Sequence, residues 1–291
     1  MVEERFRQWQ TGRPFLCPVC GQGLERITNS LRCPDGHVFD IAREGYVNLL
    51  AGGKQTKVTG DLPEMVRARR RFLEAGYYEP LAQMVGEYVA EWLADKSEGE
   101  TAVLDVGCGE GYFLNQVRIY CRNRDVAWLG MDVSKTAVRL AARRYPTMRF
   151  VVGDVWQQIP VANSAVSVLL NIFAPRNPTE FRRVLAPNGR LLLIHPTPNH
   201  LHQLRQYPGI LSIQPQKTDH ITRQLHPWFQ PITQKQTEFT FTLTQPHLND
   251  LWHMTPSYHH LTPTQKEKLA NLDTLQLTAS FVLQSFKPVS N

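Results

Sequence analysis

The chain has 291 residues, a formal charge of +6 at pH 7, and ordinary globular fractions of hydrophobic (42%) and charged (20%) residues. That length buries a sizeable core and suggests one large domain with an appendage, or two domains. No apolar run approaches the ~20 residues that cross a bilayer. The start, Met1-Val2-Glu3-Glu4-Arg5, lacks the apolar core of a signal peptide. A cytoplasmic protein with no membrane partner is expected.

Five cysteines are an odd count, and three fall within the first forty residues. In a reducing compartment that favours metal binding over disulfides. Cys17-Pro18-Val19-Cys20 and Cys33-Pro34-Asp35-Gly36-His37 give C-x2-C followed by C-x3-H, each on a short turn. Three thiolates and an imidazole make a closed tetrahedral zinc shell with no position left for water, so one structural ion is expected. Residues 1–50 are read as this zinc-binding module. Cys108 and Cys121 lie outside the set.

Residues 51–95 read as a basic linker and helices. The linker, 51–60, is rich in turn formers and cations. Helices follow over about 62–95, with Asp61 as a cap, Pro63 near the first turn, and Met65, Val66, Phe72 and Leu73 at helical spacing. Arg67, Arg69, Arg70 and Arg71, with Lys54, Lys57 and Arg43, suggest a basic surface for RNA.

Residues 96–291 are read as one catalytic domain with a substrate-binding C-terminal part. Strand candidates at 101–106, 126–131, 148–152, 165–171 and 189–195 alternate with helix candidates at 111–121, 134–144 and 178–186. This predicts an α/β fold with a parallel sheet covered on both faces. The tail adds strands near 236–244 and 275–287.

The first strand ends in Asp105, Gly107, Gly109, Glu110 and Gly111. A G-x-G-x-G turn with acids and no lysine repels polyphosphate but suits an ammonium and a sulfonium, hence S-adenosylmethionine. The second strand ends in Asp132, placed for ribose hydroxyls. The third ends in Asp154, placed for the adenine amino group, with Val155 beside the ring. The fourth ends in Asn171 and Phe173, facing the transferred methyl. Three acids at consecutive strand ends point to a methyltransferase. Leu185-Ala186-Pro187-Asn188-Gly189 resembles the turn after the fourth strand in class I (Rossmann-like) methyltransferases. The residues alone also admit a small-molecule methyltransferase, or a non-catalytic RNA-binding protein with a relic cofactor fold.

Cys33-Pro-Asp-Gly-His37-Val-Phe-Asp-Ile-Ala-Arg-Glu-Gly-Tyr-Val-Asn-Leu-Leu50 closely resembles the segment around the second zinc turn in the 23S rRNA (guanine-N1)-methyltransferases, the RlmA/TlrB family. The stretch Met65 to Tyr78, the glycine loop, Asp132-Val-Ser-Lys135 and Met254-Thr-Pro256 are similar to its other signatures, in the same order. The resemblance implies a zinc module on a class I methyltransferase domain, often as a homodimer. It implies methylation of a guanine N1 in a hairpin loop of 23S rRNA. It carries cofactor contacts onto Tyr78, Phe113, Leu114 and His200. A target guanine is expected to leave its stack and enter beside Asn171–Pro175. Asn171 is a candidate for the base edge and His195 or His200 for the proton. Phe173, Trp228, Phe229, Trp252 and Tyr258 are candidates for base stacking.

Overall fold

The structure is a computed structural model describing residues 6–50, 60–94, 101–121, 125–207, 217–255 and 261–289. The linker at 51–59, with Lys54 and Lys57, and the segment Pro256 to His260, with Tyr258, lie outside the described residues.

The N-terminal part holds three short antiparallel strands, β1 (Glu25–Ile27), β2 (Ser30–Arg32) and β3 (Val38–Asp40), and then β4 (Val47–Asn48). Two helices follow, α1 (Pro63–Glu74) and α2 (Glu79–Ala94). Next come β5 (Thr101–Val106), α3 (Tyr112–Tyr120), β6 (Val126–Asp132), α4 (Lys135–Arg144), β7 (Arg149–Val152), β8 (Val166–Ile172), α5 (Pro178–Val184) and β9 (Leu185–Pro196). The tail supplies α6 (Lys217–Leu225), β10 (Phe229–Thr244), α7 (Gln245–Met254), α8 (Pro263–Ala270) and β11 (Thr274–Pro288).

These make an eight-stranded sheet in the order β10-β11-β9-β8-β5-β6-β7-β4. Strands β5 to β9 pair in parallel, while β11 runs antiparallel to both β9 and β10. The chain winds outward in both directions from β5, so the crevice at the carboxyl ends of β5 and β8 is the switch point where a ligand fits. The expected α/β fold is therefore present.

The zinc module is not a separate bead. Its strand β4 pairs with β7 and extends the main sheet by one strand. Phe15 bridges to Val161, and the Leu16 N–H donates to the Pro160 carbonyl. Phe15, Leu24 and Leu31 are buried in one apolar cluster with Leu104, Leu129 and Phe181 on that face of the sheet. Helices α1 to α4 contribute to the core on the other face, around Phe72, Val85, Val117 and Val138.

Several boundaries differ from the sequence reading. Asp61 does not cap α1. Leu62 holds that position without a side-chain bond, and Asp61 pairs with Arg69 at 2.5 Å. Pro63 at the first position removes one N–H in need of a cap, which leaves the carboxylate free for the guanidinium. Helix α5 stops at Val184, because Leu185 is already extended and pairs with Val166. Strand β9 thus begins four residues before the predicted 189, with its register shifting between Val166 and Val168. Strand β10 begins at Phe229 rather than 236. The tail also holds α6, α7 and α8, which the strand pattern alone does not reveal. Among the described residues no helix is long and apolar enough to cross a membrane.

Candidate cofactor and zinc sites

The glycine loop sits where β5 enters α3. Gly107, Gly109 and Gly111 all have positive φ, at 82°, 55° and 82°, a region most side chains avoid. The N–H groups of Gly107 and Cys108 both donate to the Met131 carbonyl, so the end of β6 anchors the loop. Asp132 completes the anchor: its Oδ2 accepts the Gly109 N–H at 2.9 Å and its Oδ1 the Ser134 N–H at 2.8 Å.

Acids dominate the surroundings. Asp105 is buried, and its Oδ1 has no hydrogen-bond partner among the described residues. Burial, reinforced by the negative neighbours Asp132 and Glu110, pushes the Asp105 carboxyl up to about 8. Burial likewise lifts Glu110 to about 7, against the pull of Arg69. It raises Asp132 against its two backbone donors. Such a cluster disfavours phosphate and waits for a cation. A Cβ on Gly109 would meet only Arg69 Nη1, at 3.9 Å, so the loop leaves open space above it. An unpartnered carboxylate oxygen beside a bare glycine backbone fits an aminoacyl sulfonium cofactor.

Asp154 is buried after β7, where its Oδ1 accepts the Trp156 N–H at 2.9 Å. The Val155 carbonyl accepts from Asn177 Nδ2 at 2.9 Å. Tyr78 is buried, and its hydroxyl lies 3.3 Å from His200 Nε2. His200 Nδ1 accepts the Ser280 N–H, so the ring proton sits on Nε2 and points at Tyr78. Phe281 of β11 lies under both, with its ring 5.0 Å from Tyr78 and 4.5 Å from His200. Phe113 stands edge-on to Phe173 at 6.0 Å. Leu114 of α3 is fully buried in the core.

After β8, Asn171 is buried and its Nδ2 donates to the carbonyls of Val106 and Pro175. It therefore ties the loop after β8 to the end of β5. Its Oδ1 is shut off from solvent without a partner among the described residues. Phe173 is exposed and takes a left-handed conformation, φ 56°. His195 is buried on β9; its Nε2 lies 3.3 Å from Gln284 Oε1 and its Nδ1 3.3 Å from the Pro196 carbonyl. Strand alternation puts His195 on the face of Leu193 and Leu191, opposite the face shared by Ile194 and Phe281.

The four metal-ligand candidates converge. One donor atom each from Cys17, Cys20, Cys33 and His37 lies within 4.8 Å of the others. Cys20 Sγ and Cys33 Sγ are 3.6 Å apart, and Cys33 Sγ is 3.3 Å from His37 Nδ1. Tetrahedral zinc with Zn–S bonds of about 2.3 Å holds its sulfurs about 3.8 Å apart, close to what is found. Gly21 and Gly36, both at positive φ, close the two knuckles by donating to the Cys17 and Cys33 carbonyls.

Other expectations change. The arginines of α1 are mostly engaged within the chain: Arg69 with Asp61, Arg70 with Glu74, and Arg71 with Asp250 at 2.5 Å. Phe229 and Trp252 are each 1% exposed and belong to the core, which leaves Phe173 and Trp228 as the exposed aromatics of that set among the described residues. Sequence reasoning missed Arg69 as a cofactor-loop neighbour, since it reads as one cation in a run of four.

Relatives match nearly the whole chain. The 23S rRNA (guanine(748)-N(1))-methyltransferase of Streptomyces fradiae is 36% identical over 95% of this chain and 98% of its own length. The chain belongs to the 23S rRNA (guanine-N1)-methyltransferase family. A Micromonospora griseorubida protein assigned to the same guanine-N1 activity is 38% identical over 94% of this chain and 97% of its own. Residues 15–57 match the zinc ribbon described as RlmA, N-terminal, and residues 103–189 match a methyltransferase domain. As a family member the chain is a class I methyltransferase that uses S-adenosyl-L-methionine, and its Cys/His cluster is a structural zinc site.

Proposed function

We propose that the protein methylates N1 of a guanine in a hairpin loop of 23S rRNA, in the cytoplasm. The observation that carries this reading is the acid-lined glycine cradle in a chain that matches a guanine-N1 enzyme acting on 23S rRNA over 95% of its length. S-adenosylmethionine, when bound, supplies an electrophilic methyl group.

The residues divide the work. Asp132 holds the ribose hydroxyls, while Asp154 and Val155 hold the adenine. Asp105 meets the ammonium through its free oxygen. Gly107, Gly109, Gly111, Phe113 and Leu114 offer backbone to the rest. Tyr78 and His200 form the wall beside the methyl-bearing end. Asn171 fixes the loop that carries Phe173, against which the guanine stacks once it leaves the RNA. His195 holds β9 to β11 through Gln284 and is assigned no proton. The N1 proton passes to solvent. The zinc ribbon and the exposed Arg43 and Arg67 bind the RNA backbone, and a second copy pairs with the first.

Purified protein with tritiated S-adenosylmethionine and naked 23S rRNA tests the reading. Label entering the RNA as 1-methylguanosine supports it. Label found only in small molecules overturns it.

A further inference from the structure

Arg176 stands in the loop after β8, three residues past Phe173. Both of its neighbours are tied down. The Pro175 carbonyl accepts from Asn171 Nδ2 at 2.9 Å, and the Asn177 side chain donates to Val155 at 2.9 Å while also capping α5. The Arg176 backbone is therefore fixed beside the crevice between β5 and β8.

Its side chain is half-buried, and Nε is shut off from solvent with no hydrogen-bond partner among the described residues. Among the described residues no acid pairs with it, in contrast to Arg69, Arg71 and Arg183. Burial draws its pKa down. A guanidinium keeps its charge regardless. A charged, partly desolvated group on a loop fixed beside the crevice, with no counter-charge among the described residues, suits an anionic partner.

We propose that Arg176 forks onto O6 and N7 of the target guanine, selecting that base and holding the charge on O6 as N1 loses its proton. This rests on the guanine-N1 reading above. With N1 turned to the methyl, the Watson–Crick edge is committed, and O6 and N7 are the acceptors left for the protein. Arginine matches that pair bidentately, whereas adenine presents an amino donor at the same place and is rejected. The chemistry balances without a side-chain base. Water takes the N1 proton and the electron pair spreads onto O6. N1 then bonds to the methyl carbon as the carbon–sulfur bond breaks, and the sulfur leaves uncharged. A cation at O6 stabilises the charge that develops before transfer.

The test uses the full-length zinc-loaded protein and a 23S rRNA hairpin carrying guanosine or 7-deazaguanosine at the target. Wild type is expected to slow roughly tenfold on the 7-deaza RNA, which lacks the N7 acceptor. Arg176→Gln is expected to lose roughly 100-fold in kcat on the natural hairpin, with KM for RNA nearly unchanged and no further loss from 7-deaza substitution. Arg176→Lys recovers part of kcat but not the N7 sensitivity, and serves if the Gln variant misfolds. A raised KM with unchanged kcat, or a 7-deaza penalty that persists in either variant, overturns the proposal and moves Arg176 to the phosphate backbone or to structure. Failure of wild type to methylate the natural hairpin at N1 overturns the underlying reading instead.

Discussion

Asp132 at the end of β6 accepts the Gly109 N–H at 2.9 Å, tying the loop after β5 to a residue 23 positions further along the sequence. Its second oxygen takes the Ser134 N–H, so one carboxylate sets both the glycine loop and the start of α4. Asp132→Asn replaces one acceptor with a donor that faces an N–H. Cofactor affinity is expected to fall roughly 100-fold and melting temperature by a few degrees, because one buried N–H loses its partner. Calorimetric titration with S-adenosylhomocysteine checks this, and unchanged affinity would remove Asp132 from the site.

Gly107 offers a steric test. A Cβ there would lie 2.3 Å from the Ala174 Cβ, at a φ of 82° that alanine avoids. Gly107→Ala is expected to cost about 2 kcal/mol or more of stability and to push away the loop that carries Phe173. Chemical denaturation reads the stability, and single-turnover methylation reads the loop. Both should fall together.

The buried acids predict a pH dependence. Asp105 ordinarily titrates at 3.8 and in the fold at about 8, so the native state keeps this proton longer than the unfolded chain. The unfolded chain then binds fewer protons between these values, and stability of the cofactor-free protein falls as pH rises from about 4 to about 8. A cationic cofactor favours the carboxylate, so its affinity rises through the upper part of the same window. Asp105→Asn flattens that rise. A titration series from pH 6 to 8 measures it, and an affinity independent of pH in the wild type contradicts the assignment.

Zinc removal should be felt beyond the ribbon. Phe15 and Leu31 share a cluster with Leu104 and Leu129, and β4 pairs with β7. Cys33→Ser is expected to lose most of the one zinc per chain and to melt roughly 5–10 °C lower. Metal analysis and thermal melting test this together. Zinc-free protein with an unchanged melting temperature would show that the ribbon lends the sheet no support.

The sequence was most legible where one physical constraint acts alone. Strands β5 to β8 are buried on both faces and read as apolar runs, and the cysteine spacing allows few shapes other than paired knuckles. The site acids were legible because strand ends in a parallel sheet converge. The register of β4 was not, since Val47-Asn48 is too short to carry a pattern and joins the sheet only through tertiary packing. Asp61 misled because caps and ion pairs draw on the same side chains. Trp252 and Phe229 misled for a related reason: an aromatic that stacks on a base and one that fills a core look alike until the neighbours are known. Arg176 carried no local signal, because what distinguishes it is a partner that is missing.

Primer extension across the 23S rRNA hairpin, after incubation with purified protein and S-adenosylmethionine, tests the central claim most directly. Methylation at N1 blocks Watson–Crick pairing, so reverse transcription is expected to stop beside one loop guanine, and the stop should weaken with Asp132→Asn at limiting cofactor. Full-length read-through, with methyl groups nonetheless incorporated into the RNA, would contradict guanine N1 as the acceptor.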